Sequence, residues 1–229
     1  MEDAFRLRYQ VYCKEKHFLH AEDYPSGLEI DEFDADATHL LVRGADGSLI
    51  GYMRIIDGAA KSGFPMFAHG MTIHEDFPAP PAEEAVEISR MIVRSDFRHE
   101  TRAADQGFVH SPGLPSPNPR TASDLVQLKL LRLTYQHALQ NGSKWVYAAM
   151  EPTLHRKFRM MGIPFGPIGP SADYFGEVRP YAMNLRVLEA TLQEKFPRTM
   201  EFFDSAAEDL DVEVVRQGGW TIPDVTRAA

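Results

Sequence analysis

The feature that most restricts what this chain can fold into is a set of charges placed inside runs that otherwise read as buried strands. Val86-Glu87-Ile88-Ser89-Arg90-Met91-Ile92-Val93 carries a glutamate and an arginine. Ile50-Gly51-Tyr52-Met53-Arg54-Ile55-Ile56 carries an arginine on the face of Ile50, Tyr52 and Ile56. A charge taken out of water is costly unless it is paired or hydrogen-bonded. The fold must therefore bring partners to these positions. Asp31, Asp34 and Asp36 lie just before the first clear strand, and carboxylate–guanidinium pairing is the geometry arginine serves best. Strict alternation puts Glu87 and Arg90 on opposite faces, because their spacing is odd. Either one faces solvent, or a β-bulge turns both toward one cleft. On pattern alone, Asp31, Asp34, Arg54, Glu87 and Arg90 read equally as a structural ion-pair network and as a functional site.

Around these positions the periodicity gives an ordered set of elements. Ala4 to Lys14 reads as a helix with Ala4, Leu7, Val11 and Tyr12 on its apolar stripe. Arg8 interrupts that stripe, as a snorkelling surface side chain or as one more cation with a task. Phe18 to Glu32 is a loop, and Thr38–Arg43 and Leu49–Ile56 are strands joined through Asp46-Gly47, a hairpin turn signal. Gly63 to Pro81 is rich in breakers and predicts irregular chain, followed by the Val86–Val93 strand. Arg94 to Arg120 carries Pro112, Pro115, Pro117 and Pro119, which forbid a regular helix or a central strand. Thr121 to Gln140 is the strongest helix, opened by a capping-box-like Thr121/Asp124 and stopped by Asn141-Gly142. A buried strand at Lys144–Met150, a short helix at Thr153–Met161 and a last strand at Arg179–Leu185 follow. Short helices near Val187–Lys195 and Arg198–Asp209 close the chain, and the acidic stretch Glu208–Glu213 reads as a solvated face or tail. This order predicts an α/β (α+β) protein with a mixed central sheet flanked by helices. It forms one domain over 1–229, with the motif-bearing core at 1–188 and C-terminal helices and tail at 189–229.

Composition narrows the function. A hydrophobic share of 44% and a net charge of −9 fit a globular protein and argue against a nucleic-acid partner, while leaving room for a local basic patch. No apolar run approaches the roughly 20 residues of a membrane span, and Met1 to Arg8 lacks the apolar stretch of a signal peptide. The single Cys13 excludes an internal disulfide, fits a reducing cytoplasm, and reads as a buried small residue rather than a nucleophile. No zinc-type Cys pairing, His-Glu-x-x-His or P-loop occurs, so no metal is expected. His39, His137 and His155 read as structural or surface residues.

Phe5-Arg6-Leu7-Arg8-Tyr9-Gln10-Val11-Tyr12, Glu29-Ile30-Asp31-Glu32-Phe33-Asp34, Gly51-x-x-Arg54 and Glu87-Ile88-Ser89-Arg90 follow the order seen in acyl-homoserine-lactone synthases. The chain also resembles N-acyl amino acid synthases. Through Tyr147-Ala148-Ala149-Met150-Glu151-Pro152 and Ile163-Pro164-Phe165-Gly166-Pro167-Ile168-Gly169-Pro170 it resembles the PEP-CTERM/exosortase system-associated acyltransferases. The resemblance runs from about Ala4 to Leu188. It implies a GNAT-type acyltransferase fold with a bulged, splayed sheet centre. It also implies Glu87 and Arg90 as catalytic residues and Arg8, Tyr12 and Phe18 on the acceptor side, with Arg54 as the strand arginine of the substrate site and Asp31 and Asp34 as the paired acids that keep the arginines oriented. Two departures accompany it. The family usually has a strand before the first helix, and Arg94 to Glu100 has no glycine where acetyl-CoA enzymes carry a Gly-rich pyrophosphate loop.

The second departure favours acyl carrier protein over CoA as donor, with no permanently bound cofactor beyond the phosphopantetheine of the acyl-ACP (or acyl-CoA) substrate. Arg94, Arg98, His99 and Arg102 then read as a landing strip for the acidic carrier, or as a merely solvated charged loop. The implied reaction moves a long-chain acyl group to the amine of a small acceptor, an amino acid. Glu87 is the base, a backbone N–H near Ile92 or Val93 polarises the thioester, and the arginines hold acidic partners or an acceptor carboxylate. An apolar tunnel would draw on Trp145, Tyr147, Met150, Phe158, Met160 and Met161, which serve equally as plain core. Alternatives are an acyl-homoserine-lactone synthase using S-adenosylmethionine, and a non-catalytic acyl-carrier or lipid-binding module.

Overall fold

The computed structural model describes residues 1–95, 122–174, 176–205 and 212–216. Helix α1 (Glu2–Tyr9) runs straight into a π-helical stretch, Gln10–Glu15. Strands β1 (Thr38–Arg43) and β2 (Leu49–Asp57) form the hairpin that Asp46-Gly47 signals, with Gly47 at φ 78°. A short α2 (Pro65–Ala68) precedes β3 (Ala85–Val93). Then come α3 (Ala122–Gln140), β4 (Trp145–Met150) and α4 (Pro152–Met160). The two-residue strands β5 (Gly166–Pro167) and β6 (Ala172–Asp173) lead to β7 (Glu177–Asn184), α5 (Leu185–Lys195), α6 (Pro197–Asp204) and β8 (Val212–Val215). The strands make one open mixed sheet in the order β5-β7-β4-β3-β2-β1-β8, with β6 paired to β7. Its one parallel junction among the described residues, β3 with β4, is bridged through α3.

The sheet is covered on both sides. The largest apolar cluster lies between the sheet and α3, α5 and α6, and includes Met53, Ile55, Ile88, Val126, Leu130, Leu188 and Phe202. A Cβ at Gly51 would sit 2.4 Å from Val126 Cγ1, so this glycine is what lets α3 come close to β2. A second cluster gathers Phe33, Ile56, Phe64, Met66 and Tyr147, and a third packs α1 on Leu41, Tyr52 and Ile92. Among the described residues no helix is long and apolar enough to cross a membrane.

Three local expectations change. The segment 63–81, expected to be irregular, contains α2, because Phe64 and Met66 find burial that their local sequence does not announce. The acidic tail is not wholly solvated: Val212–Val215 pairs with β1 as an edge strand, and Glu213 meets Arg43 at 3.0 Å. The helix expected to reach Asp209 ends at Asp204. Arg98, His99 and Arg102 lie outside the described residues, as does most of the proline-rich segment.

Candidate active site

Strands β3 and β4 pair only from Ala85/Trp145 to Ile88/Ala148, and beyond that point they part. The cause is local to β3. Tyr52 pairs with Ile92 but Arg54 with Ser89, so two steps on β2 face three on β3. The extra residue is a bulge, and within it Arg90 takes the left-handed conformation at φ 55°. For a non-glycine residue this costs about 1–2 kcal/mol. Charge-assisted hydrogen bonds offset it: Arg90 donates from Nε and Nη2 to Glu29 at 3.0–3.3 Å and from Nη2 to Asp31 at 3.2 Å. The bulge resolves the odd spacing. Glu87 and Arg90 both line one cleft of about 260 Å³ between the parted strands.

The cleft wall is completed by the π-helix and its exit loop. The wider π turn, closed by Lys16 N–H donating to Val11 O at 2.8 Å, presents Val11 and Tyr12 inward. The Arg90 guanidinium lies 5.4 Å from the Tyr12 ring centre, and Tyr12 and Phe18 lie 6.4 Å apart. Ile92, Val93 and Met150 line the cleft, and Leu154 and Phe158 of α4 extend its apolar wall. Lys16 and Glu151 face each other across its rim at 3.7 Å.

Behind the cleft stands the ion network. Arg8 is fully buried, not snorkelling: its Nη1 donates to Asp34 at 2.6 Å and its Nε to Glu29. Arg54, also fully buried, donates from Nη1 to Asp31 and, at 2.9 Å, to Asp34, and from Nε to Ser89 Oγ at 3.0 Å. Asp34 Oδ2 in turn accepts from the Asp31 N–H at 2.8 Å, so the loop's own backbone fixes the acid pair. Burial opposes ionisation of Glu29, but Arg8 and Arg90 outweigh it and hold the carboxyl down to about 2. Asp34 is likewise held well below the usual carboxylate range, burial being outweighed by Arg8 and Arg54. Tyr52 Oη accepts from Arg8 at 3.3 Å and meets His39 Nδ1 at 2.7 Å, while His39 Nε2 contacts Asp34 O at 3.1 Å. Burial pushes His39 down to about 4, so it stays neutral and structural.

Three arginines thus already meet three carboxylates, and Glu87 is a fourth acid. It is buried, and both its oxygens accept from the Met66 N–H of α2, at 3.2 and 3.1 Å. Burial pushes its carboxyl up to about 8, with the Met66 N–H, Arg54 and Arg90 pulling the other way. A carboxyl that titrates near neutrality in a cleft walled in part by Val11, Ile92, Met150, Leu154 and Phe158 is suited to proton transfer.

Not every expected residue reaches this place. Arg8, Arg54, Asp31 and Asp34 stand behind the cleft wall rather than on it. Trp145 and Tyr147 are not cleft residues: alternation along β4 sends them to the opposite side from Met150. There Trp145 packs on Phe77 at 5.9 Å and Tyr147 on Phe64 at 5.5 Å. Met161 is core and Met160 is exposed. Four contributors escaped the sequence reading. Glu29 sat in the quoted acidic motif and was readable there. Tyr174, which also hydrogen-bonds Arg90, the Met66 N–H and the Lys16–Glu151 contact carry no local signal.

Comparison with known proteins agrees with this architecture. The family of the acetyltransferase (GNAT) domain matches residues 7–105. No curated protein sequence matches the chain. Among solved structures, TofI in a ternary complex with an inhibitor and MTA aligns with a TM-score of 0.56 at 18% identity, over 82% of this chain and 88% of that one. The CoA-dependent acyl-homoserine lactone synthase BjaI, with SAM and isopentyl-CoA, aligns at 0.55 and 21%, over 84% and 80%. The AHL synthase LasI aligns at 0.53 and 22%, over 80% and 82%. At such identities the likeness is one of fold. This chain therefore has the mixed α/β GNAT fold, an open eight-stranded sheet flanked by helices and parted at its centre.

Proposed function

We propose that the protein is an N-acyltransferase that moves a long-chain acyl group from the pantetheine thioester of acyl carrier protein, or of CoA, to the amine of a small acceptor, an amino acid. The observation that carries this reading is the buried Glu87 carboxyl beside Arg90, in a cleft walled in part by Val11, Ile92, Met150, Leu154 and Phe158. The pantetheine arm enters between the parted strands, and the acyl chain lies along Met150, Leu154 and Phe158. The acceptor nitrogen attacks the thioester carbonyl, the new C–N bond replaces C–S, and the thiol leaves. Glu87 takes the proton that the amine must shed, and main-chain N–H near Ile92 and Val93 polarises the carbonyl. With Arg54 sealed behind the wall, the acceptor carboxylate falls to Arg90. Cys13, buried and free, is in keeping with the reducing cytoplasm in which such donors are made.

A second reading, lactone synthesis from S-adenosylmethionine, has one observation in its favour: BjaI, of the same fold, is seen with SAM and isopentyl-CoA. Both readings ask the same of the site, since S-adenosylmethionine presents an α-amine and a carboxylate. Mass spectrometry of reactions with long-chain acyl carrier protein and pooled amino acids separates them, with acyl-CoA and S-adenosylmethionine in parallel. An N-acyl amino acid that requires Glu87 supports the proposal. An acyl-homoserine lactone with methylthioadenosine supports the second reading. Free carrier and fatty acid alone would overturn both.

A further inference from the structure

The Glu87 carboxyl has one hydrogen-bond donor among the described residues, and it is not a side chain. Met66 N–H lies 3.2 Å from Oε1 and 3.1 Å from Oε2, a single donor shared by both oxygens. Such a bond fixes the rotation of the carboxyl group as well as its position. The charged and titratable groups that face Glu87 include Arg54 from β2, Arg90 from β3 and Asp31 from the loop before β1, already engaged with one another, and Tyr174 after β6, which also bonds Arg90. On β4 its register neighbour is Tyr147.

The four-residue α2 is too short to hold itself together. It is held by burial of Phe64 and Met66 and by the edges of Phe64 and Phe67 on the Tyr147 ring, at 5.5 and 5.8 Å. Pro65 has no N–H, so the turn presents Met66's instead. Glycines in the left-handed region, Gly63 at φ 66° and Gly70 at φ 83°, bring the chain in and out of this turn. The whole arrangement delivers one peptide N–H to one buried carboxyl.

We propose that the backbone N–H of Met66 is the positioning group for Glu87: it aims the carboxyl and steadies its ionised form, so that α2 decides when the base is available. The proposal rests on the acyl-transfer reading for its catalytic consequence, but not for its physical content. A hydrogen bond to the charged form favours that form, so losing it makes Glu87 harder to ionise.

Amide ¹H–¹⁵N spectra of the intact protein, taken from about pH 6 to about pH 10 around the Glu87 titration, test this without any substrate. The Met66 amide should shift with a midpoint near pH 8 and stay flat in Glu87→Gln. A flat Met66 amide in the unsubstituted protein would overturn the proposal, whatever the enzyme assay shows. Replacing the residue 66 amide by an ester, which removes only the N–H, should move the midpoint of the rate profile alkaline by about one pH unit. Phe67→Leu trims the packing of α2 but keeps the N–H, and should leave that midpoint in place. Equal shifts in both would assign α2 a packing role only and sink the proposal. Absence of acyl transfer alongside a titrating Met66 amide would sink the enzymatic reading and leave the Met66–Glu87 link standing.

Discussion

Glu87 and its two arginine neighbours, Arg54 and Arg90, show how much one residue's surroundings decide. Its folded carboxyl binds a proton up to about pH 8, whereas an unfolded glutamate releases it near 4.5. Its contribution to stability is therefore complete below about pH 4.5 and is lost as pH rises through about 8. Glu87→Gln keeps an acceptor for Met66 N–H and removes that loss. Its melting temperature should rise relative to the unsubstituted protein between about pH 5 and about pH 9, read by calorimetry across that range. Acyl transfer should fall about 100- to 10,000-fold in the same variant, as expected for removal of a general base, and lose the increase in rate through about pH 8. A variant that keeps both the rate and its pH profile would remove Glu87 from the chemistry. Arg54 makes the opposite point. It is charged, fully buried and bonded to Asp31, Asp34 and Ser89, so Arg54→Met strips one cation from both Asp31 and Asp34, leaving Asp34 to Arg8 and Asp31 to Arg90. Urea unfolding should show a loss of about 3–5 kcal/mol.

At the scale of elements, the bulge in β3 and the π turn after α1 shape the cleft, and neither is announced by periodicity. Alternation in 86–93 gave the strand and its odd Glu87–Arg90 spacing, but both outcomes of that spacing were open. The extra residue is settled by Arg90, whose left-handed backbone is held by Glu29 and Asp31 from another part of the chain. By contrast, α3 was legible throughout, from its Asp124-bearing first turn to Asn141-Gly142, because its signals are local. Its approach to β2 depends on Gly51. Gly51→Val would drive a side chain into Val126, and thermal unfolding should report a destabilisation of about 1–3 kcal/mol.

Over the whole molecule, an acidic chain places three arginines and three carboxylates in its interior and keeps that set neutral. Glu29 titrates near 2 in the folded protein against 4.5 unfolded, and Asp34 is shifted in the same direction. Their stabilisation is present above about pH 4.5 and is lost as pH falls through about 2. Circular dichroism should show acid unfolding concentrated in that window, and a chain insensitive to it would mean the network adds little. The sequence by itself determined the elements with strong local periodicity, their order, the mixed sheet, and that the charges in β2 and β3 need partners, since these follow from spacing and the cost of burying charge. The tertiary structure alone decided that Glu87 and Arg90 share a cleft, that Trp145 and Tyr147 do not, that Val212–Val215 closes the sheet edge, and that a peptide N–H from α2 meets Glu87. Each of these depends on segments distant in sequence coming together, and the shared cleft also on a one-residue change of register in β3 that no local pattern encodes.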